Sequence, residues 1–492
     1  TVPDLISPTW EYAPAPEARY LVTIAGTYGL FIDGKFVDPH DGGSFATIDP
    51  SNEEHLADVA LAGEQDVDAA VAAARRAFPI WSSLSGATRG KYLYRLARAL
   101  QERAREFAVL ESIDNGKPIR ESRDVDVPTA AAHLFYHAGW ADKLDWAGLG
   151  PHPRPVGVAG AIIPWNFPFL MGVWKLAPAL AFGNTAVLKP AEQTPLSAVW
   201  LIRLLHEVGV PAGVINLVQG VGEVTGQALV EHPQVDKIAF TGSTEVGRHI
   251  MRTSADNLHK VTLELGGKSP NVVFSDAGDL DQLAKRAAFA CFYNSGEVCT
   301  AGTRLVVGAD IHDELVAKVA AMAEGTRVAP GWFEGAAMGP LVSDEQYERV
   351  SGYVDMAQGE GVEVVTGGGR VEEYDRGYFY QPTVLDNVDP GMRIAQEEVF
   401  GPVLAVQKFD DEDEAVALAN DVSFGLAAAV WTRDVGRAHR VADKLQAGTE
   451  WVNTYGEIDS PVSFGGYKQS GYGREHGPYG FEEYLEVKSL QL

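Results

Sequence analysis

Cysteine is scarce in this sequence. The 492 residues include only Cys291 and Cys299, too few for a disulfide framework. Basic residues are also in the minority, because Lys and Arg number 40 against 67 Asp and Glu. The resulting formal net charge of −27 would repel nucleic acid and anionic lipid surfaces. We therefore expect neither nucleic acid nor a membrane as a partner, and we expect no metal ion.

Uninterrupted apolar runs are missing as well. The most apolar stretch, 156–183, contains Pro164, Asn166, Pro168 and Lys175, whereas a membrane span needs about 20 largely apolar residues. The residues before position 30 lack the basic start, apolar run and small-residue cleavage site of a secretory signal. Together with the low cysteine content, this predicts a protein of the reducing cytoplasm.

Helical and strand-like periodicities are present instead. The first 19 residues contain four prolines and predict an extended arm, and the chain length predicts two or three globular units. Apolar residues recur at helical spacing from 65 to 114, namely Ala69, Ala72, Ala73, Phe78, Leu93, Leu96, Leu100 and Phe107. Short strand-like runs follow between 156 and 274 (VGVAGAII, TAVLKP, VINLVQ, DKIAFT, VTLEL, NVVF), and the alternation resumes after 300. The pattern predicts an α/β fold with parallel, helix-covered sheets.

Such sheets bind nucleotides beyond the carboxyl ends of their strands, and glycines mark the candidate turns. Gly220, Gly222 and Gly226 form G-x-G-x-x-x-G, one residue longer than the usual dinucleotide fingerprint. Gly242 and Gly247 lie in a second such turn, FTGSTEVG. Because glycine serves any turn with positive φ, these clusters alone fit a tight turn equally well.

Three residues have complementary chemical capacities. Cys299 offers a thiolate that attacks carbonyl carbon, Asn166 offers a hydrogen bond to the resulting oxyanion, and Glu264 offers a base for water. Taken singly, each has a structural alternative: a buried thiol, a backbone cap, and an ion pair between Glu264 and Lys268. Cys291 lies in the apolar helical run AAFACFY and is predicted to be core.

Taken together, these motifs make the chain resemble the aldehyde dehydrogenase superfamily over nearly its whole length. The resemblance rests on PWNFP, KPAEQTP, FTGSTEVG, LELGGKSPN, NSGEVCTAGTR, EEVFGPV, WVNTYGEID and FGGYKQSGYGRE, in the family's order and at its approximate spacing. Asn294 and Gly296 match the turn that presents the thiol, whereas Glu297 stands where the family more often has Gln.

The resemblance implies roles for the three residues. Cys299 is expected to be the nucleophile, Glu264 the general base, and Asn166 with the Cys299 backbone N–H the oxyanion hole. Thiolate attack on an aldehyde gives a thiohemiacetal, whose collapse sends hydride to NAD and leaves a thioester that water hydrolyses to a carboxylic acid. Lys175 and Glu475 match positions that support proton movement behind the base, or they form a structural salt bridge.

The resemblance also implies binding residues. Those expected to hold NAD are Trp165, Lys189, Glu192, Gly222, Gly226, Gly242, Ser243, Val246, Leu265, Glu398 and Phe400. Glu192 favours NAD over NADP, because a carboxylate accepts hydrogen bonds from ribose hydroxyls and repels a 2′-phosphate. The expected substrate tunnel consists of Phe167, Leu170, Met171, Trp174, Ile458 and Phe464. These walls suit an apolar or aromatic aldehyde, and Glu457 with Asp459 leaves a cationic aminoaldehyde open.

Three parts are implied for the fold: a Rossmann-type NAD-binding domain (1–135 and 156–266), an α/β catalytic domain (267–468), and a β-strand oligomerisation arm with the C-terminal segment (136–155 and 469–492). The final YLEVKSLQL has the β character of a pairing edge, so we expect a homodimer or homotetramer. Two alternatives remain: a CoA-acylating relative, and a non-catalytic structural or binding protein with this fold.

Overall fold

The computed structural model describes residues 17–150, 153–333, 335–489 and 491. Nearly all of the predicted N-terminal arm lies outside these residues. The first described part contains a small sheet and a helical layer. Its strands and helices are β1 (Thr27–Tyr28), β2 (Leu30–Ile32), β3 (Lys35–Val37), β4 (Ser44–Asp49), β5 (Glu54–Ala60), α1 (Glu64–Ser83), α2 (Gly86–Glu102), α3 (Ala104–Asn115), α4 (Ile119–Glu121) and α5 (Val127–Trp140).

The next part alternates strands and helices, as the sequence predicts. Its elements are β6 (Arg154–Pro155), β7 (Val158–Ile162), α6 (Pro168–Ala181), β8 (Thr185–Lys189), α7 (Leu196–Glu207), β9 (Ile215–Leu217), α8 (Gln227–Glu231), β10 (Lys237–Thr241), α9 (Thr244–Ser254) and β11 (Lys260–Glu264).

A second α/β part follows. Its elements are β12 (Pro270–Val273), α10 (Leu280–Phe292), β13 (Arg304–Gly308), α11 (His312–Glu324), α12 (Asp344–Gly359), β14 (Glu363–Thr366), β15 (Thr383–Asp386), α13 (Arg393–Gln396), β16 (Val403–Phe409), α14 (Glu412–Asn420), β17 (Phe424–Gly425), β18 (Ala427–Trp431), α15 (Val435–Lys444), β19 (Thr449–Val452), β20 (Tyr467–Lys468), β21 (Gly471–Tyr472), α16 (Gly477–Glu482) and β22 (Leu485–Glu486).

Two large sheets organise these elements. The first has eight strands in the order β21-β11-β10-β7-β8-β9-β2-β3, and β11, β10, β7, β8 and β9 run parallel. The second has seven strands in the order β14-β15-β16-β13-β12-β18-β19, parallel except for β14. Helices cover both, and the predicted α/β class is confirmed.

Two details differ from the sequence-based expectation. The run NVVF, grouped above with the first series of strands, forms β12 in the second sheet. The helix over the first periodic stretch is confirmed as α1, but Ala69 is exposed and its buried face includes Val67, Ala70, Ala74 and Trp81. Alanine is small enough for either face, so the tertiary contacts decide which face is buried.

The C-terminal segment returns to the first part of the chain. β21 pairs antiparallel with the end of β11, and β22 pairs antiparallel with β6. The limits of the cofactor domain, the catalytic domain and the arm stay a prediction. Among the residues that the structure describes, no helix is long and apolar enough to cross a membrane.

Candidate active site

The carboxyl ends of the parallel strands in the first sheet meet at one edge. Ile162, the last residue of β7, is in register with Lys189 at the end of β8, and Thr241 of β10 is in register with Glu264 of β11. Asn166 follows β7 by four residues. Strand topology therefore brings together predicted residues that lie far apart in the sequence.

The second sheet presents the amino ends of two neighbouring strands. Cys299 precedes β13, whereas Glu398 and Phe400 precede β16, which pairs with β13. Five residues connect Glu264 at the end of β11 to Pro270 at the start of β12. The candidate base and the candidate nucleophile therefore come from different sheets that a short segment joins.

The turn that presents Cys299 has an unusual backbone. After α10, Asn294, Ser295 and Gly296 all have positive φ, at 47°, 56° and 70°. Asn is among the non-glycine residues that tolerate this region, and glycine adopts it freely. The turn is anchored from outside: Glu121 Oε2 accepts from the Asn294 backbone N–H at 3.1 Å, and Ser295 Oγ donates to the Gly339 carbonyl at 3.1 Å.

Asn166 lies beside this turn. Its Nδ2 donates to the Glu297 carbonyl at 2.8 Å, and Asn294 Nδ2 donates to the Asn166 carbonyl at 3.1 Å. A side-chain amide has two N–H donors, so one donor of Asn166 is engaged in holding the turn and a second remains for a ligand. The side chain of Glu297 is buried and accepts from the Val342 backbone N–H at 3.0 Å.

The thiol of Cys299 packs against the apolar cluster formed largely by the first sheet and its helices. Burial raises its pKa to about 12, and the charges of Glu398 and Glu264 act in the same direction. The backbone amides of Thr300 and Cys299 itself oppose this rise. The thiol is therefore protonated in the free protein, and its reaction as a nucleophile requires a base.

Glu264 is the candidate base, because it is a carboxylate whose charge acts on the Cys299 thiol. Its carboxylate is only 3% exposed, and neither oxygen has a hydrogen-bond partner among the described residues. Burial raises its pKa well above the ordinary range, and the negative charge of Glu475 adds to the effect. Behind it, Lys175 Nζ donates to Glu475 Oε1 at 2.5 Å, with both side chains buried. An unpaired, desolvated carboxylate of this kind has the features of a general base.

The residues predicted to bind the adenosine part of a cofactor form two groups. Lys189 Nζ donates to Glu192 Oε2 at 3.2 Å; the lysine side chain is 4% exposed and the glutamate 34%. Burial lowers the pKa of Lys189, while the charges of Glu192 and Glu223 oppose this. Glu223 belongs to the turn at 222–226. Gly222 is exposed and Gly226 is buried.

The second group surrounds the first turn of α9. Ser243 caps the helix, its Oγ accepting from the Val246 backbone N–H at 3.2 Å. Gly242 precedes it, and a Cβ there would lie 2.5 Å from the Phe240 ring. Leu265 packs against Gly247, where a Cβ would lie 2.4 Å from its side chain. The backbone N–H groups at a helix N-terminus preceded by glycine suit a pyrophosphate.

Glu398 and Phe400 precede β16 of the second sheet. Glu398 Oε1 accepts from the Gly267 backbone N–H at 2.8 Å, and burial raises its pKa to about 7. Phe400 has a φ of 62° and its ring meets that of Trp165 edge-on, with centroids 5.1 Å apart. The Trp165 carbonyl accepts from Asn115 Nδ2 at 2.8 Å, which fixes the turn before Asn166.

The predicted tunnel residues share one apolar cluster with Cys299. Leu170, Met171, Trp174 and Phe464 are buried in it, and Phe167 and Ile458 are partly buried against it. The Trp174 and Phe464 rings are 5.4 Å apart. All six side chains and the thiol thus belong to one large apolar cluster, and a tunnel formed by the six stays a prediction.

Two residues that position the turn at Cys299 were not predicted from the sequence. A Cβ on Gly267 would lie 2.2 Å from the Cys299 carbonyl oxygen, so this position admits only glycine without movement of the thiol-bearing turn. Glu121, which anchors the same turn, lies 173 residues away from Asn294. The doubled glycine of LELGGKSPN was a signal for the first, whereas no local signal marks the second. Cys291, predicted to be core, is fully buried.

Comparisons with known proteins agree on one family. The model of the "Aldehyde dehydrogenase family" matches residues 36–490. An aldehyde dehydrogenase of Aspergillus niger is 46% identical over 94% of both chains. A betaine aldehyde dehydrogenase of Bacillus subtilis is 45% identical over 94% of this chain and 96% of that protein. The solved NAD+ complex of a Bacillus cereus aldehyde dehydrogenase superposes with a TM-score of 0.91, at 44% identity over 94% of this chain and 96% of that one.

Proposed function

Since this chain belongs to the aldehyde dehydrogenase family, we propose that Cys299, Glu264 and Asn166 carry out its oxidation of an aldehyde to a carboxylic acid. The observation that carries the assignment is the buried carboxylate of Glu264, which has no hydrogen-bond partner among the described residues and whose charge acts on the Cys299 thiol. A structural carboxylate at such a depth would be paired.

The first step is attack by Cys299 on the aldehyde carbon. Because its pKa is raised to about 12, the thiol gives up its proton as it attacks, and Glu264 is the acceptor within range of its charge. The C–S bond forms while the carbonyl oxygen becomes an oxyanion. Asn166 Nδ2 and the Cys299 backbone N–H donate to that oxygen, and the Asn294 turn holds both donors in place.

The second step is hydrolysis of the thioester. After Glu264 has lost the proton that it took from the thiol, it takes a proton from water as the water oxygen attacks the acyl carbon, and the C–S bond breaks to release the acid and the Cys299 thiolate. Lys175 and Glu475 form the buried ion pair behind Glu264, and the charge of Glu475 keeps the pKa of Glu264 high. We assign this pair to the removal of the proton from Glu264.

The cofactor is NAD, which when bound accepts hydride from the substrate carbon. The residues fit it: Lys189 and Glu192 for the adenosine ribose, Gly242 and Ser243 for the pyrophosphate, and Glu398 with Phe400 for the nicotinamide ribose. Val246 and Leu265 line the same helix end, Trp165 contacts Phe400, and Gly222 and Gly226 form the turn near Lys189. A part-exposed carboxylate at Glu192 accepts hydrogen bonds from ribose hydroxyls and disfavours a 2′-phosphate.

The tunnel residues suit an aldehyde with an apolar or aromatic body. The likeness to a betaine aldehyde dehydrogenase, and the exposed Glu457 and Asp459 beside Ile458, also support a cationic aminoaldehyde. Turnover of a panel containing both classes would decide between them.

For the assembly we propose a homodimer or a homotetramer. β6 and β22 form a separate two-stranded sheet that has free edges in the described part of the chain, and Val487 beside it is 59% exposed. A cytoplasmic location stays a prediction from the low cysteine content.

The test is Glu264→Gln, which keeps the shape of the side chain but removes the base. Because Glu264 acts in both steps, mixing this variant with NAD and an aldehyde should give an NADH burst of up to about one per active site that forms more slowly than in wild type. Very slow turnover should follow, with an acyl group on Cys299 by mass spectrometry. The control is Glu372→Gln, which neutralises an exposed glutamate. A burst at the wild-type rate would remove Glu264 from the first step, and normal steady turnover without CoA would remove it from the mechanism.

A further inference from the structure

Lys117 is a buried cation that has no part in the reaction described above. It lies two residues beyond the end of α3, and its side chain is fully buried. Its Nζ is 4.0 Å from the centroid of the Phe167 ring. Because Phe167 directly follows Asn166, the lysine charge lies against the residue next to the candidate oxyanion donor.

The ammonium group of Lys117 is held by two acidic side chains. Nζ donates to Asp126 Oδ2 at 2.7 Å and lies 3.4 Å from Glu111 Oε1, and both acids are fully buried. Burial lowers the pKa of Lys117, but the charges of Asp126 and Glu111 outweigh this effect, so the pKa is raised and the lysine is charged. Burial raises the pKa of Glu111, which leaves Asp126 as the main counter-charge.

The contact between Lys117 and Phe167 is a cation–π interaction. A cation over the face of a phenyl ring is attracted by the negative charge of that face, and the attraction is stronger where water is excluded. Because Asp126 and Glu111 fix the position of the ammonium group, this attraction restricts the Phe167 ring rather than the lysine.

The chain around Lys117 contacts both segments that supply the candidate oxyanion hole. Asn115 Nδ2 donates to the Trp165 carbonyl at 2.8 Å, in the segment after β7. Glu121 Oε2 accepts from the Asn294 backbone N–H at 3.1 Å, in the turn that presents the thiol. This one stretch of chain is therefore fixed to both segments, with Lys117 between the two hydrogen bonds in sequence.

The direction of the free Asn166 N–H depends on the backbone that carries it. One Nδ2 hydrogen is engaged with the Glu297 carbonyl at 2.8 Å, which leaves the other for an oxyanion. The Trp165 carbonyl and the Phe167 ring are both held by the chain around Lys117. Since a misplacement of about 1 Å between reacting groups costs on the order of 10²-fold in rate, these contacts bear on catalysis.

We propose that Lys117 is a positioning residue for the oxyanion hole: its ammonium group holds the Phe167 ring and thereby aims the Asn166 amide at the substrate oxygen. The proposal rests on the proposed function, since Lys117 acts through Asn166. In this role Lys117 forms no bond with the substrate or the cofactor and exchanges no proton with them.

The test is the double variant Lys117→Met/Asp126→Asn, which removes both charges of the ion pair together. Breaking a buried pair by removing one partner is strongly destabilising, whereas replacing both partners is often neutral. Rapid mixing with NAD and a saturating aldehyde should show an NADH burst that is slower by about 10-fold to 10²-fold. The matched control is Lys444→Met/Asp413→Asn, which removes an exposed ion pair and should give the wild-type burst rate.

A double-mutant cycle with Asn166→Ala separates positioning from general damage. If Lys117 acts through the Asn166 donor, adding Lys117→Met/Asp126→Asn to Asn166→Ala should cause little further loss of burst rate. The same fold loss in both backgrounds would show a merely structural role and overturn the proposal. A wild-type burst rate in Lys117→Met/Asp126→Asn would overturn it as well.

Phe167→Leu removes the same contact from the other side and leaves the ion pair intact. At saturating aldehyde it should also slow the burst, and this loss should likewise disappear in the Asn166→Ala background. A higher KM with an unchanged burst rate would mean that Phe167 only contacts the substrate, and would overturn the proposal. A wild-type burst rate in Asn166→Ala alone would instead refute the role of Asn166 in the proposed function.

Discussion

Gly267→Ala provides a direct test of how closely the turn at Cys299 must be held. The new Cβ would lie 2.2 Å from the Cys299 carbonyl oxygen, whereas real Cβ atoms essentially never come within 3.0 Å of another heavy atom. That oxygen belongs to the backbone and cannot rotate away, so Cys299 and Gly267 must move apart by about 1 Å. A misplacement of that size costs on the order of 10²-fold in rate when it separates reacting groups.

Rapid mixing of Gly267→Ala with NAD and a saturating aldehyde should show an NADH burst that is slower by about 10²-fold, because thiol attack precedes hydride transfer. Far-UV circular dichroism should match wild type, since the contact is confined to one turn. The control is Gly352→Ala on α12, where the new methyl group meets nothing within 4 Å and should raise stability by about 0.5–1 kcal/mol without changing the burst. A folded Gly267→Ala enzyme with a wild-type burst rate would refute the reasoning.

Three further predictions concern the thiols, the cofactor and acid stability. Cys299→Ala should abolish aldehyde oxidation while Cys291→Ser keeps most of it; equal loss in two folded variants would contradict the assignment. Glu192→Ser should lower the ratio of kcat/KM with NAD to kcat/KM with NADP by about tenfold. This corresponds to about a third of the ~4 kcal/mol repulsion between two unit charges at ~4 Å, because solvent screens the rest. A wild-type preference for NADP would contradict the assignment. His137 and His476 have pKa values lowered from 6.5 to about 3, so the unfolded state binds more protons below pH 6.5 and stability falls as pH falls. The free energy of unfolding measured by urea titration should be lower at pH 5.5 than at pH 7.5 by about 1 kcal/mol per histidine. A smaller difference in His137→Leu than in wild type would show that His137 contributes to this pH dependence.

The sequence predicts those features that depend on local pattern. The alternation of strands and helices after residue 156 is present in the structure, and the helices over 65–114 form. What local pattern leaves open is the partner of each element. NVVF reads as a strand, but nothing in four apolar residues determines which sheet it joins, and it begins the second one. Ala69 fits a helix on either face, and packing leaves it exposed.

The site shows the same division. Motifs point to Cys299, Asn166 and Glu264 because each lies in a distinctive local run. Contacts between distant residues have no such marker: Lys175 and Glu475 are 300 residues apart, and Glu121 reaches Asn294 across 173. His133 of α5 contacts His476 of the C-terminal segment, with ring centroids 4.7 Å apart, and neither stretch of sequence suggests this contact alone.

The segment 265–269 joins the sheet that carries the candidate base to the sheet next to the candidate nucleophile. It begins directly after Glu264, and Gly267 contacts both the Cys299 carbonyl and, through its N–H, the carboxylate of Glu398. It ends where Arg304 of β13 donates to the Lys268 carbonyl at 3.1 Å. One short stretch therefore touches the nucleophile, the candidate cofactor-binding carboxylate and the first strand after the thiol. A side chain at position 267 would push the thiol-bearing turn away from this segment, so glycine at 267 helps to set the distance between the candidate base and the candidate nucleophile.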